Sequence, residues 1–378
     1  MPQQFLVTKT ETETDDSDET TVHLFGRDVD SNRVHETVEG YEHYFYVPTA
    51  EVLAEESSFI GTNGIESIDH DTDYEPFRAG EVPGEISRVV VEDPKDATDA
   101  KGLFSRTWEA DVKPRNRFRI DTGTMAWVEV PDHPAPFSLD EVTPIEAPVD
   151  QDPEPRIITL DIEVDDRGSF PEAGEKRITS IVAHDSYDGE YIGFLDGDDR
   201  EISTMFPDGK PEEVDALHVE PNEKQMLIRF ACWVGDRDPD MITAWNVGFD
   251  APYLLARMEE VEASPARLSS IKSAYLNFWG DAKIGGVSVY DLLEMYKKNK
   301  YGELRSYSLD YVAGEELDAA KISHELGFYE MFATDPNQLI NYNAMDTRLA
   351  VGINEKAGVV SFRDNLRKQI GVDFEDTV

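Results

Sequence analysis

The sequence has few of the residues that build disulfides, zinc sites or membrane spans. Its only cysteine, Cys232, excludes an internal disulfide, and its eight histidines occur singly, without the spacing of a zinc site. No apolar run approaches the roughly 18 residues of a membrane-spanning helix. The first residues also lack the charged-then-apolar order of a signal peptide. We therefore expect a globular chain in the cytoplasm, without a membrane partner.

Basic residues are scarce as well. The chain has 35 Lys and Arg against 79 Asp and Glu, a formal net charge of −44, with the acids spread along the whole sequence. At ~1 M salt the Debye length is only ~3 Å, so self-repulsion on such a surface is screened. This favours the hypothesis of a halophilic source. Two basic clusters, 113–119 and 297–305, are candidate contacts for phosphate groups or, equally, ordinary surface cations.

The pattern of the 378 residues predicts two domains and a linker. Residues 1–130 show alternating, strand-like segments and predict a β-rich amino-terminal domain, with one short helix at 49–59 that Thr49 could cap. Residues 131–155 are rich in proline and acid, which is typical of a linker. Residues 156–352 form the second domain.

The second domain alternates strands and helices. Three strands, a helix, another strand and then further helices predict a mixed sheet flanked by helices, of the ribonuclease H type. The predicted fold class is α/β, or α+β for the whole chain. The main predicted elements are strands at 156–164, 177–185, 189–195 and 241–247, and helices at 223–236, 251–261, 308–317 and 337–356.

Two carboxylates interrupt the first of these strands, in the stretch RIITLDIEV. Because side chains alternate along a strand, Asp161 and Glu163 point to the same face. Two like charges side by side are costly unless a cation compensates them. Taken alone, the pair could also mark a strand end that reaches solvent.

Two further pieces carry candidate site residues. Asn246, Phe249 and Asp250 stand where a predicted strand turns into a helix, the edge of an open α/β sheet at which ligands bind. Tyr342 and Asp346 are spaced i and i+4 on a predicted helix, so they share one face. Each piece alone has a simpler interpretation, namely a helix cap and a core aromatic in the first case and a solvated helix edge in the second.

Taken together, the pieces resemble the exonuclease motifs of the family B DNA polymerases, in the family's order. The sequence has D-x-E, then N-x-x-F-D, then Y-x-x-x-D with the tyrosine of the tyrosine-type branch. Gly168, Phe170 and Pro171 follow the first motif as the family's G-x-F-P segment does, and 304–317 resembles the segment before the third motif. The resemblance is close over 156–352 and weaker before it.

The resemblance implies a 3′–5′ exonuclease with two divalent ions, Mg²⁺ or Mn²⁺, held by four carboxylates. Asp161 would bridge both ions, and Glu163 and Asp346 would serve the ion nearer the attacking water. Asp250 would act on the second ion, partly through water. Tyr342 would orient the attacking water.

It also implies a substrate. The single-stranded 3′ end of a DNA primer would bind at the site, where Asn246 and Phe249 would hold the terminal nucleotides, with Phe249 able to stack on a base. We therefore predict the proofreading portion of a DNA-directed DNA polymerase.

The chain lacks recognisable motifs of a polymerase palm, so we expect no DNA synthesis by it alone. Residues 353–378 resemble the start of the connection to the palm, and we expect them to pack on the first domain. One alternative is a binding half of a split polymerase, inactive until a palm-bearing chain joins it. A less favoured alternative is a free-standing nuclease on RNA or short single strands, although nothing in the sequence indicates recognition of a 2′-hydroxyl.

Overall fold

A computed structural model describes residues 2–15, 19–53, 56–70, 72, 85–169, 171–207, 209–300, 302–319 and 326–377. The chain divides into two compact units, Met1–Pro153 and Glu154–Val378. Within the described ranges, no helix is both long and apolar enough to cross a membrane.

Unit 1 is built on strands, as the alternating pattern predicts. A six-stranded sheet has the order β8-β3-β2-β1-β7-β9, and a three-stranded sheet has the order β4-β6-β5. The apolar residues of the first sheet, including Phe5, Val22 and Val128, form its core. The strands are β1 Gln3–Thr14, β2 Thr20–Arg27, β3 Arg33–Glu39, β4 His43–Pro48, β5 Ile65–Asp69, β6 Ile86–Val91, β7 Trp127–Val130, β8 Phe137–Ser138 and β9 Thr143–Ile145.

Two local predictions for unit 1 change. In place of the single helix predicted at 49–59, the structure has two short helices. Thr49 is the first residue of the first helix rather than its cap, and its hydroxyl lies 2.8 Å from that of Ser87. The predicted linker is partly ordered in the sheet, since β8 pairs with β3 and β9 with β7. The helices of unit 1 are α1 Thr49–Val52, α2 Glu56–Phe59, α3 Ala97–Ala100 and α4 Pro114–Thr122.

Unit 2 contains the predicted mixed sheet. Its strand order is β13-β12-β11-β10-β14-β17, in which β10 pairs antiparallel with β11 and parallel with β14. A separate two-stranded hairpin is formed by β15 and β16. The strands are β10 Ile157–Val164, β11 Ile178–Asp185, β12 Tyr191–Asp196, β13 Ala216–Glu220, β14 Met241–Ala244, β15 Ala274–Leu276, β16 Ala282–Ile284 and β17 Ser288–Asp291.

Helices cover both faces of this sheet. On one face, Leu160 and Ile162 of β10 share a core with Phe230 of α6 and Leu254 of α7. On the other face, α11 packs on β10 and β11. The predicted fold class, a mixed sheet flanked by helices beside a β-rich region, is confirmed. The helices are α5 Ile202–Met205, α6 Glu223–Arg237, α7 Val247–Glu260, α8 Leu292–Asn299, α9 Leu309–Leu317, α10 Phe328–Thr334, α11 Pro336–Ala357 and α12 Val359–Ile370.

The carboxyl-terminal segment belongs to unit 2. Val359 and Val360 of α12 share a core with Leu349 of α11. The Phe374 ring lies 6.0 Å from that of Tyr290, centre to centre. The expectation that this segment packs on the first domain was therefore wrong, because its apolar residues complete the core of the second.

Candidate active site

The first motif lies on the central strand of the unit 2 sheet. Asp161 and Glu163 stand opposite Val182 and Ser180 of β11, so all four side chains point to the face that α11 covers. Glu163 is buried and Asp161 half-buried. Phe170, in the segment after this motif, lies outside the described residues.

Helix α11 brings the third motif to the same face. Thr347 donates a hydrogen bond from Oγ1 to the carbonyl oxygen of Val182 at 3.3 Å, which joins the helix to β11. Asp346, the preceding residue, is buried. One carboxylate oxygen each from Asp161, Glu163 and Asp346 lies within 4.8 Å of the other two.

The second motif occupies the start of α7. This helix begins at Val247, four residues before the predicted start, so Asp250 lies inside the first turn rather than at the cap. The cap position belongs to Asn246, whose backbone carbonyl accepts the N–H groups of Phe249 at 2.9 Å and Asp250 at 3.3 Å. Its position inside the helix excludes the simple helix-cap interpretation, and its side chain is buried.

The charge around Asp250 is concentrated. Burial raises the pKa of its carboxyl group well above the ordinary value, and the carboxylates of Asp161 and Asp291 raise this pKa further. Without a cation, the buried acid therefore favours its protonated form. A bound cation would reverse this preference, because it compensates the charge of all three groups.

The aromatic residues of the motifs border this cluster. The ring of Tyr342 is buried and lies 5.5 Å from that of Phe328. Phe249 is half-buried, with its ring 5.3 Å from that of Tyr253. Asn246 is exposed. The exposed amide of Asn246 thus stands one turn before Asp250, and the partly exposed ring of Phe249 belongs to the residue directly before it.

The donor set fits hard divalent cations. Asp161, Glu163 and Asp346 offer carboxylate oxygens, the ligands that Mg²⁺ and Mn²⁺ prefer. Asp250 lies outside this group of three, and its charge interacts with that of Asp161. The site can therefore hold one ion among three acids and has a further buried acid beside Asp161.

Neither basic cluster is a simple row of exposed cations. In 113–119, Arg117 and Arg119 are buried, and the guanidinium of Arg117 bonds Glu109 at 2.7 Å and lies 4.2 Å from the ring centre of Tyr44. In 297–305, Lys297 and Lys300 pair with Glu294 and Glu316. These contacts favour structural roles for Arg117, Lys297 and Lys300 over contacts with phosphates. Arg117 and Arg119 are not the surface cations that the sequence also allows.

Sequence reasoning missed two features near α7. One is Asp291, which ends β17 and whose charge reaches Asp250. The other is the β15–β16 hairpin, which packs on α7 and exposes Phe278 by 95% and Trp279 by 82%. An aspartate between a strand and a helix was a visible signal for the first, and two adjacent aromatics before a glycine for the second.

Comparison with known proteins identifies the family. The profile described as "DNA polymerase family B, exonuclease domain" matches residues 105–312, more than half of the chain. The chain belongs to this family. The family match confirms the predicted enzyme class, the 3′–5′ exonuclease portion of a DNA-directed DNA polymerase.

Individual relatives agree with the family. The chain is 27% identical over 229 residues to the DNA-directed DNA polymerase of Escherichia phage RB69, which covers 53% of the chain and 25% of that protein. It is 29% identical over 232 residues to that of Enterobacteria phage T4, covering 54% of the chain and 26% of the relative. The solved family B DNA polymerase from Pyrobaculum calidifontis is similar in fold, with a TM-score of 0.77 and 20% identity. That alignment covers 99% of this chain and 48% of the solved one. The family B exonuclease profile thus matches just over half of a chain that spans about half of the solved polymerase.

Proposed function

We propose that this chain hydrolyses nucleotides from the single-stranded 3′ end of a DNA primer, in a reaction that depends on two divalent ions, Mg²⁺ or Mn²⁺. The observation that carries the proposal is the convergence of Asp161, Glu163 and Asp346 within 4.8 Å, beside the buried Asp250. Four carboxylates with this arrangement suit metal-dependent phosphodiester hydrolysis, because the chemistry needs metal charge more than a protein nucleophile.

The position of each residue suits a different role in the proposed reaction. The ions, when bound, would lower the pKa of the attacking water and stabilise negative charge on the phosphate and on the leaving 3′ oxygen. Asp161 belongs to the three-acid group, and its charge also acts on Asp250. It therefore suits the role of the ligand that both ions share. Tyr342, buried one turn before Asp346, would hold the attacking water by its hydroxyl. Water adds to phosphorus as the bond to the 3′ oxygen breaks, and that oxygen takes up a proton.

The first turn of α7 would hold the substrate. Asn246 is exposed and can donate to a phosphate or a base, and the half-buried ring of Phe249 can stack on a terminal base. Stacking favours an unpaired end, since a paired base already stacks within its duplex. This supports a preference for frayed or mismatched 3′ ends, the preference of a proofreading nuclease.

The test is digestion of a 5′-labelled primer with a mismatched 3′ end, in molar KCl with Mg²⁺ or Mn²⁺. We expect stepwise shortening that Asp161→Ala and Asp346→Ala both abolish. Asp236→Asn is the matched control, because it removes an exposed carboxylate of α6 and leaves the acidic cluster intact. Shortening that survives Asp161→Ala would exclude the proposed site, and equal cleavage of a ribonucleotide primer would favour the RNA alternative.

A second candidate function is that of a half-enzyme that cleaves only with a palm-bearing partner chain. It rests on coverage, since the matched region is about a quarter of each phage polymerase. A folded chain that binds Mn²⁺ but shortens no primer until a palm-bearing chain is added would support it. Cleavage by the chain alone would exclude it.

A further inference from the structure

Asp291 joins two helices that start at the same edge of the unit 2 sheet. Its Oδ1 accepts the backbone N–H of Glu294 at 2.9 Å, so it caps α8. Its Oδ2 accepts the backbone N–H of Gly248 at 3.1 Å, in the first turn of α7. One carboxylate therefore fixes the starts of α7 and α8 relative to each other.

The sheet places Asp291 in reach of α7. Strands β14 and β17 are parallel neighbours, and Ala244 pairs with Asp291 in their register. The chain leaves β14 at Ala244 and enters α7 three residues later, at Val247, so the first turn of α7 lies beside the end of β17. The contact is thus set by strand register.

This contact replaces a missing cap. The first N–H groups of a helix have no partner within the helix and are usually satisfied by the side chain at the cap position. Among the described residues of α7, the cap position is held by Asn246, whose side chain makes no capping bond. Because Asp291 satisfies Gly248 instead, the exposed Asn246 amide is left available for a ligand.

The same turn carries the buried acid of the second motif. Asp250 lies two residues after Gly248, and the charge of Asp291 acts on it. Asp291 is not one of the three acids whose oxygens converge, and its two oxygens accept the backbone N–H groups of two helix starts. Its influence on the site therefore passes through the position of α7 and through its charge.

We propose that Asp291 is a positioning residue of the exonuclease site. It holds the first turn of α7 so that Asp250 faces Asp161 for metal binding and Asn246 faces the substrate. The inference rests on the proposed function, and it adds a fifth carboxylate that binds no ion itself.

The decisive variant is Asp291→Ser. Serine caps helices about as well as aspartate, so α8 stays capped, but its side chain is too short to reach Gly248 and carries no charge. We expect the Kd for Mn²⁺, measured by electron paramagnetic resonance without DNA, to rise by roughly 10-fold or more, as is usual when a group that orients a metal ligand is removed. We expect kcat to fall by a similar factor and the KM for a single-stranded primer to rise.

The matched control is Asn222→Ser. Asn222 caps α6 by accepting the N–H of Gln225 at 3.1 Å, and α6 carries none of the predicted site residues. This variant should keep the wild-type Kd for Mn²⁺ and the wild-type kcat. Asp291→Asn has the length to reach Gly248 with its remaining oxygen, and we expect it to recover part of the Mn²⁺ affinity that Asp291→Ser loses.

The outcomes separate the two proposals. Wild-type Mn²⁺ affinity and kcat in a folded Asp291→Ser protein would overturn the positioning role and leave the exonuclease function standing. If Asp291→Asn binds Mn²⁺ no more tightly than Asp291→Ser, the hydrogen bond to Gly248 is not the cause of the positioning effect. Mn²⁺ binding that is equally absent from the wild-type and Asp161→Asn proteins would overturn the proposed function, and the inference with it.

Discussion

The carboxylates of Asp161 and Asp346 lie within 4.8 Å of each other, although one stands on the central strand and the other on α11. Two negative charges this close repel, so the pair weakens the metal-free fold. Folded proteins keep such costs mainly at functional sites, where a bound cation removes them.

Replacing Tyr342 by phenylalanine should lower the cleavage rate without disturbing the fold. The ring contact with Phe328 at 5.5 Å is kept, and only the hydroxyl that would orient the water is lost. We expect the single-turnover rate to fall roughly 10- to 100-fold, as for a misplaced reactant, with little change in DNA affinity. Rapid-quench digestion measures the rate, and Tyr311→Phe on α9 is the control. An unchanged rate would remove Tyr342 from the chemistry.

Asp250→Asn should stabilise the metal-free protein at neutral pH. The raised pKa means that the folded state holds a proton there which the unfolded state releases, so ionising Asp250 at higher pH costs folding energy. Asparagine avoids that cost, because its amide carries no charge at any pH in this range. The advantage should shrink as pH falls through the raised pKa, where the wild-type carboxyl is neutral.

Thermal unfolding in EDTA across this pH range tests the prediction. The two proteins should converge at low pH and separate as pH rises. Added Mn²⁺ should reverse the order by raising the Tm of the wild-type protein alone. An Asp250→Asn protein that melts below the wild type in EDTA at neutral pH would contradict the assigned electrostatics.

Arg117→Met should damage unit 1 rather than DNA binding. Its guanidinium is buried against Tyr44 and bonds Glu109, whose side chain stays partly exposed. We expect a loss of roughly 3 kcal/mol, the low end of the range for breaking a buried pair. Lys101→Met, which breaks the exposed pair with Asp111, should cost under about 1 kcal/mol. Denaturant unfolding gives the free energy of unfolding of both variants. A salt dependence of DNA binding that changes in Arg117→Met but not in Lys101→Met would support a phosphate contact by Arg117 instead.

The sequence predicts the features that follow from the periodic spacing of residues within one strand or helix. It does not predict those that depend on how distant strands pair. Alternation along β10 places Asp161 and Glu163 on one face, and helical spacing aligns Tyr342 with Asp346. The bond between Asp291 and Gly248 needs the parallel pairing of β14 with β17, which no local pattern contains.

The burial of a side chain is equally hard to predict from local sequence. The basic run at 113–119 looks like a surface cluster, yet α4 turns Arg117 and Arg119 inward. The predicted linker conceals β8 and β9 because strands of two and three residues, one with a proline, are too short to show alternation. In each case a partner distant in sequence decides the structure.

The exposed aromatics of the β15–β16 hairpin should add to single-strand binding. Asn277 Oδ1 accepts the N–H groups of Trp279 and Asp281, which fixes the turn and holds Phe278 and Trp279 outward. Replacing both by alanine should cost about 1–3 kcal/mol for each base that stacks. Fluorescence anisotropy with single-stranded DNA in Ca²⁺ measures this, and Phe362→Ala, an exposed aromatic of α12, is the control. Equal affinities would exclude the hairpin from the substrate path.

The net charge of −44 should make the fold depend on salt. Exposed carboxylates repel one another over the Debye length, which falls from ~30 Å at ~0.01 M to ~3 Å at ~1 M salt. We therefore expect the Tm to rise steeply from low salt to molar KCl, and the far-ultraviolet circular dichroism to weaken at low salt. A neutral osmolyte at matched osmotic strength is the control, because it favours compact states without screening charge. A Tm that rises equally in osmolyte and in KCl would assign the effect to solvent exclusion, and a Tm independent of both would contradict the halophilic hypothesis.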